Sequence, residues 1–134
     1  MMVYLVYGSP CSGKTTYVKE HMQTGDIVCD VDRLYEAISF NEGHQTELFA
    51  QEVASELFVK MVEIIHDRKG NWKNAYVITV ANTKERVQKE AERIGADECI
   101  FIDTPYETCL ERTKDRPPYF VWLVQEWFET QKLR

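Results

Sequence analysis

Basic charge is in short supply in this sequence. Sixteen lysines and arginines stand against 22 aspartates and glutamates, a net charge of −6. That balance excludes a protein that coats duplex DNA without regard to sequence. It leaves open a nucleic-acid end as substrate, through a local basic mouth. No apolar run reaches the length of a membrane span, so no membrane role is expected. No basic segment with a cleavage site precedes the first strand, so no signal peptide is expected. The four cysteines, Cys11, Cys29, Cys99 and Cys109, are scattered, with no C-x-x-C pair. This points to a reducing, cytoplasmic setting, with Cys29 and Cys99 as small buried hydrophobes. His44 and His66 have no partners at metal-ligand spacing and read as ordinary surface or loop residues. Linkers, repeats and low-complexity tracts are missing too. The 134 residues, 44% of them hydrophobic, therefore predict one small domain, 1–134, with a core of its own.

What is present centres on Gly8-Ser9-Pro10-Cys11-Ser12-Gly13-Lys14-Thr15-Thr16. The run fits G-x-x-x-x-G-K-[ST], with an apolar strand before it and a helical pattern after it. Glycines let the backbone fold so that successive N–H groups point at one oxyanion. The following helix adds its positive dipole end. Lys14 would reach the β- and γ-phosphates of ATP, and the Thr15 hydroxyl would ligate Mg²⁺. A ligand-free turn is the bland alternative, and the agreement of motif and flanks disfavours it. Cys11 reads as a side chain filling the loop and not as a nucleophile, because phosphoryl transfer needs no covalent step.

Four short runs rich in Val, Ile or Tyr predict strands over residues 3–7, 26–29, 75–80 and 98–102. Helical periods separate them. That alternation implies a parallel sheet covered on both faces. The second strand runs into Asp30 and Asp32. Ligands of such sheets bind beyond the carboxyl ends of the strands, so both aspartates share a rim with the phosphate loop. One is expected to cap the next helix and one to accept or orient the proton of an attacking hydroxyl. Residues 39–45 read as a loop. A long helix should run from about Thr46 to His66, with Phe49, Val53, Leu57, Met61, Ile64 and Ile65 mostly in the core. Residues 67–74 read as a solvated basic turn.

The third strand ends without an acidic residue. Asn82 to Glu85 reads as a capping box with Asn82 as the cap, and the helix behind it stops at Gly95. Thr104-Pro105-Tyr106-Glu107 reads as a second capping box after the fourth strand. The helix it opens carries Arg112 and Arg116 at i and i+4, on one face, suited to clamp phosphate oxygens. Their place before Pro117-Pro118 fits a mobile lid over ATP. Residues 119–128 are dense in aromatics. Packing on the sheet is the preferred reading. A protein contact, such as a homo-oligomer through this helix, comes second, and base stacking third.

In these three stretches the chain resembles the kinase domain of phage 5′-polynucleotide kinase and its small P-loop relatives, the zeta-toxin and polynucleotide-kinase-like group. The phosphate loop, with proline in its third place, is similar to the family's. Asp30-Val31-Asp32 resembles a polar residue followed two places on by the catalytic aspartate, which would fall on Asp32. Asp103-Thr104-Pro105, with Arg112 and Arg116, resembles the lid region, and the transition-state arginine would fall on Arg116. The resemblance implies a three-layer α/β P-loop NTPase fold with a four-stranded parallel sheet, helices on both faces, strand order 2-3-1-4 and a small arginine lid. It implies an ATP- and Mg²⁺-dependent kinase acting on a hydroxyl, a nucleic-acid 5′ end first of all. The family's substrate-phosphate arginine would fall on Tyr35, and the acid closing its third strand is absent. A nucleotide or other small metabolite is therefore the alternative acceptor, and a nucleotide-binding switch without transfer activity is a third reading.

Overall fold

The computed structural model describes residues 1–41 and 47–133. The histidine at 44 and the expected helix start at Thr46 lie outside these residues. Four strands, β1 (Val3–Tyr7), β2 (Ile27–Cys29), β3 (Ala75–Thr79) and β4 (Glu98–Phe101), form one sheet in the order β2-β3-β1-β4. All three pairings are parallel, with Leu5 opposite Val77 on one side and Cys99 on the other. Six helices accompany them in the described residues: α1 (Lys14–His21), α2 (Val31–Ser39), α3 (Leu48–His66), α4 (Lys84–Ile94), α5 (Tyr106–Arg112) and α6 (Tyr119–Thr130). The strand order and parallel sense are those the resemblance implies. Strands 2, 3 and 4 are each one residue shorter than their apolar runs.

Alternation along the strands fills two cores, because successive side chains point to opposite faces. Val3 and Leu5 of β1, Cys29 and Val77 pack with Val62 and Ile65 of α3 and Ile94 of α4. Val6, Tyr76 and Ile78 pack with Val18 of α1 on the other face, where Tyr4 stacks on Tyr76 at 4.9 Å. The sheet is thus covered on both faces, which is why its strands read as continuous apolar runs. No described helix is long and apolar enough to cross a membrane.

Several local expectations are corrected. Along α3 the buried residues are Ala54, Val62 and Ile65, whereas Phe49 (75%), Val53 (52%) and Leu57 (40%) are exposed. Ala54 is the buried residue in the first half of this helix, and the second half carries the contacts to the core. Thr83, not Asn82, caps α4, accepting the Arg86 N–H at 3.1 Å. Asn82 is buried and instead donates to Thr130 Oγ1 at 2.7 Å, fastening α6. Cys99 is exposed because it lies on edge strand β4; all four thiols are free. In α6, Phe120, Val124 and Trp127 are buried, and the Trp127 indole donates to Val80 O at 2.8 Å. Tyr119, Val121 and Trp122 face outward, so packing accounts for only one side of that helix.

Candidate functional site

The phosphate loop joins β1 to α1. Gly13 takes φ 99° and Cys11 takes φ 65°, the left-handed region that aims neighbouring N–H groups inward. Gly8 sits where a Cβ would come within 2.8 Å of Ile102 O, so only glycine allows the loop to lie against β4's end. Ser9 and Ser12 are buried; Pro10, Cys11 and Gly13 are partly covered; Thr15 and Thr16 open to solvent. Lys14 is 8% exposed, and its ammonium donates to Gly8 O at 3.0 Å and Ser9 O at 2.7 Å. Burial holds its pKa down to about 8, against the pull of the Asp30 carboxylate.

Asp30 and Asp32 divide their work by position. Asp30 is buried, caps α2 and accepts the Asp32 N–H at 3.2 Å. Burial raises its pKa, opposed by that hydrogen bond and by Lys14. Asp32 stands one turn edge further out, with solvent access but close cleft walls. Desolvation there, then the charges of Asp30 and Glu36, push its carboxyl up to about 6; Arg116 and Lys14 pull it back. A carboxylate with a pKa near neutrality is suited to accept a proton.

The two arginines are not on one helix face. Arg112 is the last residue of α5, Thr113–Asp115 is a 3₁₀ turn, and Arg116 is extended. The 3₁₀ turn breaks the i, i+4 relation, because Pro117 and Pro118 bar a continuing α-helix. Both nevertheless face the loop. Arg112 Nη1 donates to Cys11 O at 3.1 Å, and the Arg116 guanidinium lies 5.5 Å from the centre of the Phe120 ring. Burial raises the Cys11 thiol's pKa despite these cations, so it stays a neutral filler of the loop.

A cleft of about 700 Å³ collects these parts. Loop residues 10–16, Asp30, Asp32, Arg112 and Arg116 all line it, whereas Gly8 and Ser9 are buried and do not. Three lining residues carried no signal in the motifs. Thr79, at the carboxyl end of β3, presents a buried hydroxyl without a partner; Gln51 and Tyr119 are the others. A further residue acts on the loop from behind: Thr104 Oγ1 donates to Ser12 O at 2.6 Å. The expected second capping box is not formed, since no side chain caps α5 and the Thr104 hydroxyl is taken by the loop. The rule that ligands gather beyond the strands' carboxyl ends would have pointed to both Thr79 and Thr104.

The loop fits a triphosphate. Ser12 Oγ is buried without a partner, and the Lys14 ammonium has only loop carbonyls to satisfy it. The donor set fits Mg²⁺ held mainly by phosphate oxygens and water, with the Thr15 hydroxyl in the cleft; the described residues hold no cluster of three or more acidic, His or Cys ligands.

The comparisons with known proteins agree with this architecture. Residues 3–131 match the family model described as an AAA domain. No curated protein matches the chain. Among solved structures, a chain of the Pnkp1/Rnl/Hen1 RNA repair complex is similar over 99% of this chain and 47% of its own, with 16% identity and a TM-score of 0.65. A second structure of the Pnkp1/Rnl/Hen1 complex matches over 83% of this chain and 39% of its own, with 18% identity and a TM-score of 0.59. This protein thus spans less than half the length of those two chains. A candidate kinase from Chloroflexus aurantiacus matches over 92% and 77% of the two chains, with 17% identity and a TM-score of 0.58. The fold is the α/β P-loop kinase-like fold of these structures, and with nearly its whole length inside the family model the chain belongs to the AAA-domain family.

Proposed function

We propose that this chain transfers the γ-phosphoryl group of ATP, with Mg²⁺, to a hydroxyl acceptor. One observation carries the reading: Lys14, Asp32, Arg112 and Arg116, up to about 100 positions apart in sequence, line a single cleft above the phosphate loop. The loop N–H groups and Lys14 would hold the triphosphate. Mg²⁺, bound through Thr15, would supply neutralising charge across the β- and γ-oxygens. Asp32 would orient the acceptor hydroxyl and take its proton as the oxygen attacks phosphorus. The bond to the β-phosphate oxygen breaks, and ADP leaves. Arg116 would offset the charge that develops on the transferring group. Arg112, bonded to Cys11 O, would hold the loop in shape beneath it. Positioning and charge stabilisation of this kind supply most of the rate in phosphoryl transfer.

The fold likeness to chains of an RNA repair complex supports a nucleic-acid 5′-hydroxyl as acceptor. Against it stands Tyr35, at the position of the family's substrate-phosphate arginine: it is 0% exposed and cannot touch a substrate. The test is transfer of labelled γ-phosphate from ATP·Mg²⁺ to 5′-hydroxyl oligonucleotides, nucleosides and nucleotides. Label should appear on one acceptor class and vanish in Asp32→Asn, which should still bind ATP. Equal transfer by the two proteins would refute the role given to Asp32.

A further inference from the structure

We infer that the acceptor is an uncharged alcohol with an apolar or planar body, and that the acceptor half of the cleft turns away anionic acceptors. The inference rests on the phosphoryl-transfer reading above and specifies its substrate class. It begins with where the positive charge is. Among the described residues lining the cleft, only Lys14, Arg112 and Arg116 are cationic. All three serve the phosphate loop. Lys14 bonds loop carbonyls, Arg112 bonds Cys11 O, and the charges of all three act on the Cys11 thiol. A bound triphosphate would occupy them and leave no cation for a second anion.

The rest of the cleft has the opposite character. Asp32 feels the charges of Asp30 and Glu36 against those of Arg116 and Lys14, the cations a triphosphate would occupy, and Tyr119 lines the same cleft. Val31, Gln51, Val80 and Leu123 line the cleft with them, and apart from the three cations the described lining residues are uncharged or acidic. An acceptor phosphate here would meet carboxylates with nothing to pair it, and like charges so placed disfavour binding strongly. Arg33 is the nearest other cation in sequence, but it is not among the lining residues.

What the lining does offer is apolar surface and aromatic rings. Tyr119 is 40% exposed and lines the cleft together with Phe120, Val31, Val80 and Leu123. Apolar walls with a few polar groups near the reacting atom suit a small neutral molecule, and an open tyrosine suits a planar one.

Two probes separate the possibilities because they share a free 5′-hydroxyl and differ by one phosphate: thymidine and thymidine 3′-monophosphate. Each is titrated calorimetrically into protein saturated with a non-hydrolysable ATP analogue and Mg²⁺. The wild-type protein is expected to bind the monophosphate no better than the nucleoside. Gln51→Arg and Val80→Arg, at a part-buried and an exposed lining position, are each expected to raise affinity for the monophosphate about tenfold by supplying the missing cation. Tighter binding of the monophosphate by wild type, or no gain in either variant, would overturn the inference while leaving phosphoryl transfer standing. An ATP analogue that does not bind, or that binds Lys14→Ala equally well, would overturn the parent reading and this one with it.

Discussion

The pH dependence of turnover tests the proposed site most directly. Two groups in the cleft are displaced toward each other. Asp32 is pushed up to about 6 by desolvation and by its acidic neighbours, and Lys14 is held down to about 8 by burial. The signs follow. The Asp32 base is lost as pH falls through its raised pKa, and the Lys14 cation is lost as pH rises through its lowered one. At pH 7 about nine-tenths of each group is in the required form; at pH 5 only about a tenth of Asp32 is ionised, and at pH 9 about a tenth of Lys14 is protonated. The profile of kcat/KM for ATP should therefore be a bell centred near pH 7, falling roughly ninefold by pH 5 and by pH 9. The acid limb belongs to the Asp30–Asp32 pair, since their charges interact. Saturating ATP should move the alkaline limb of kcat upward, because bound phosphate favours the charged lysine. Initial rates of ADP formation with the identified acceptor, at constant ionic strength, measure it. The γ-phosphate of ATP also takes up protons, so Asp32→Asn is the necessary control. An acid limb that survives in that variant's residual activity, or a wild-type profile flat from pH 5 to 7, would refute Asp32 as the base.

Three other outcomes follow from the geometry. Thr104→Val removes the hydroxyl on Ser12 O and should raise KM for ATP about fivefold with kcat nearly unchanged, since a neutral hydrogen bond contributes about 1 kcal/mol; Thr104→Ser should restore it. Arg116→Ala should lower kcat about a thousandfold in single-turnover transfer, whereas Arg112→Ala should act chiefly on ATP affinity through the loop it holds. Asn82→Ala breaks a buried tie between β3's end and α6 and should cost about 1–3 kcal/mol in denaturant unfolding, with ATP affinity of the folded protein unaltered.

Much of the architecture is legible in the chain because its signals are local. A Val- and Tyr-rich run before a glycine loop, and helical periods between apolar runs, lead to the parallel sheet and its order once the family resemblance is added. Two of the misreadings share one cause, that a polar side chain was assigned to its sequence neighbours when a distant element claimed it. Asn82 stands in a good capping position, yet α6 offers it a buried partner and Thr83 caps instead. Thr104 begins an apparent capping box, yet the carbonyl of Ser12, 92 positions away, takes its hydroxyl. Phe49, Val53 and Leu57 have core spacing, yet they lie exposed.

The candidate site divides in the same way. Residues 8–16 form a contiguous motif whose conformation is set by its own glycines, so the sequence by itself determined the anion-binding loop and the strand–loop–helix unit around it. It also determined that Asp30 and Asp32 would share that rim, because they follow a parallel strand. Only the tertiary structure decided which aspartate is spent on a cap, since that depends on the backbone angle at which β2 enters α2. Only it decided that Arg112 and Arg116 reach the loop from a helix end and an extended segment and not from one helical face. And only it brought Gln51, Thr79 and Tyr119 into the same cleft as Asp32. Those three come from separate elements, and what they line is fixed by how the helices pack on the sheet, a long-range property that no local spacing encodes.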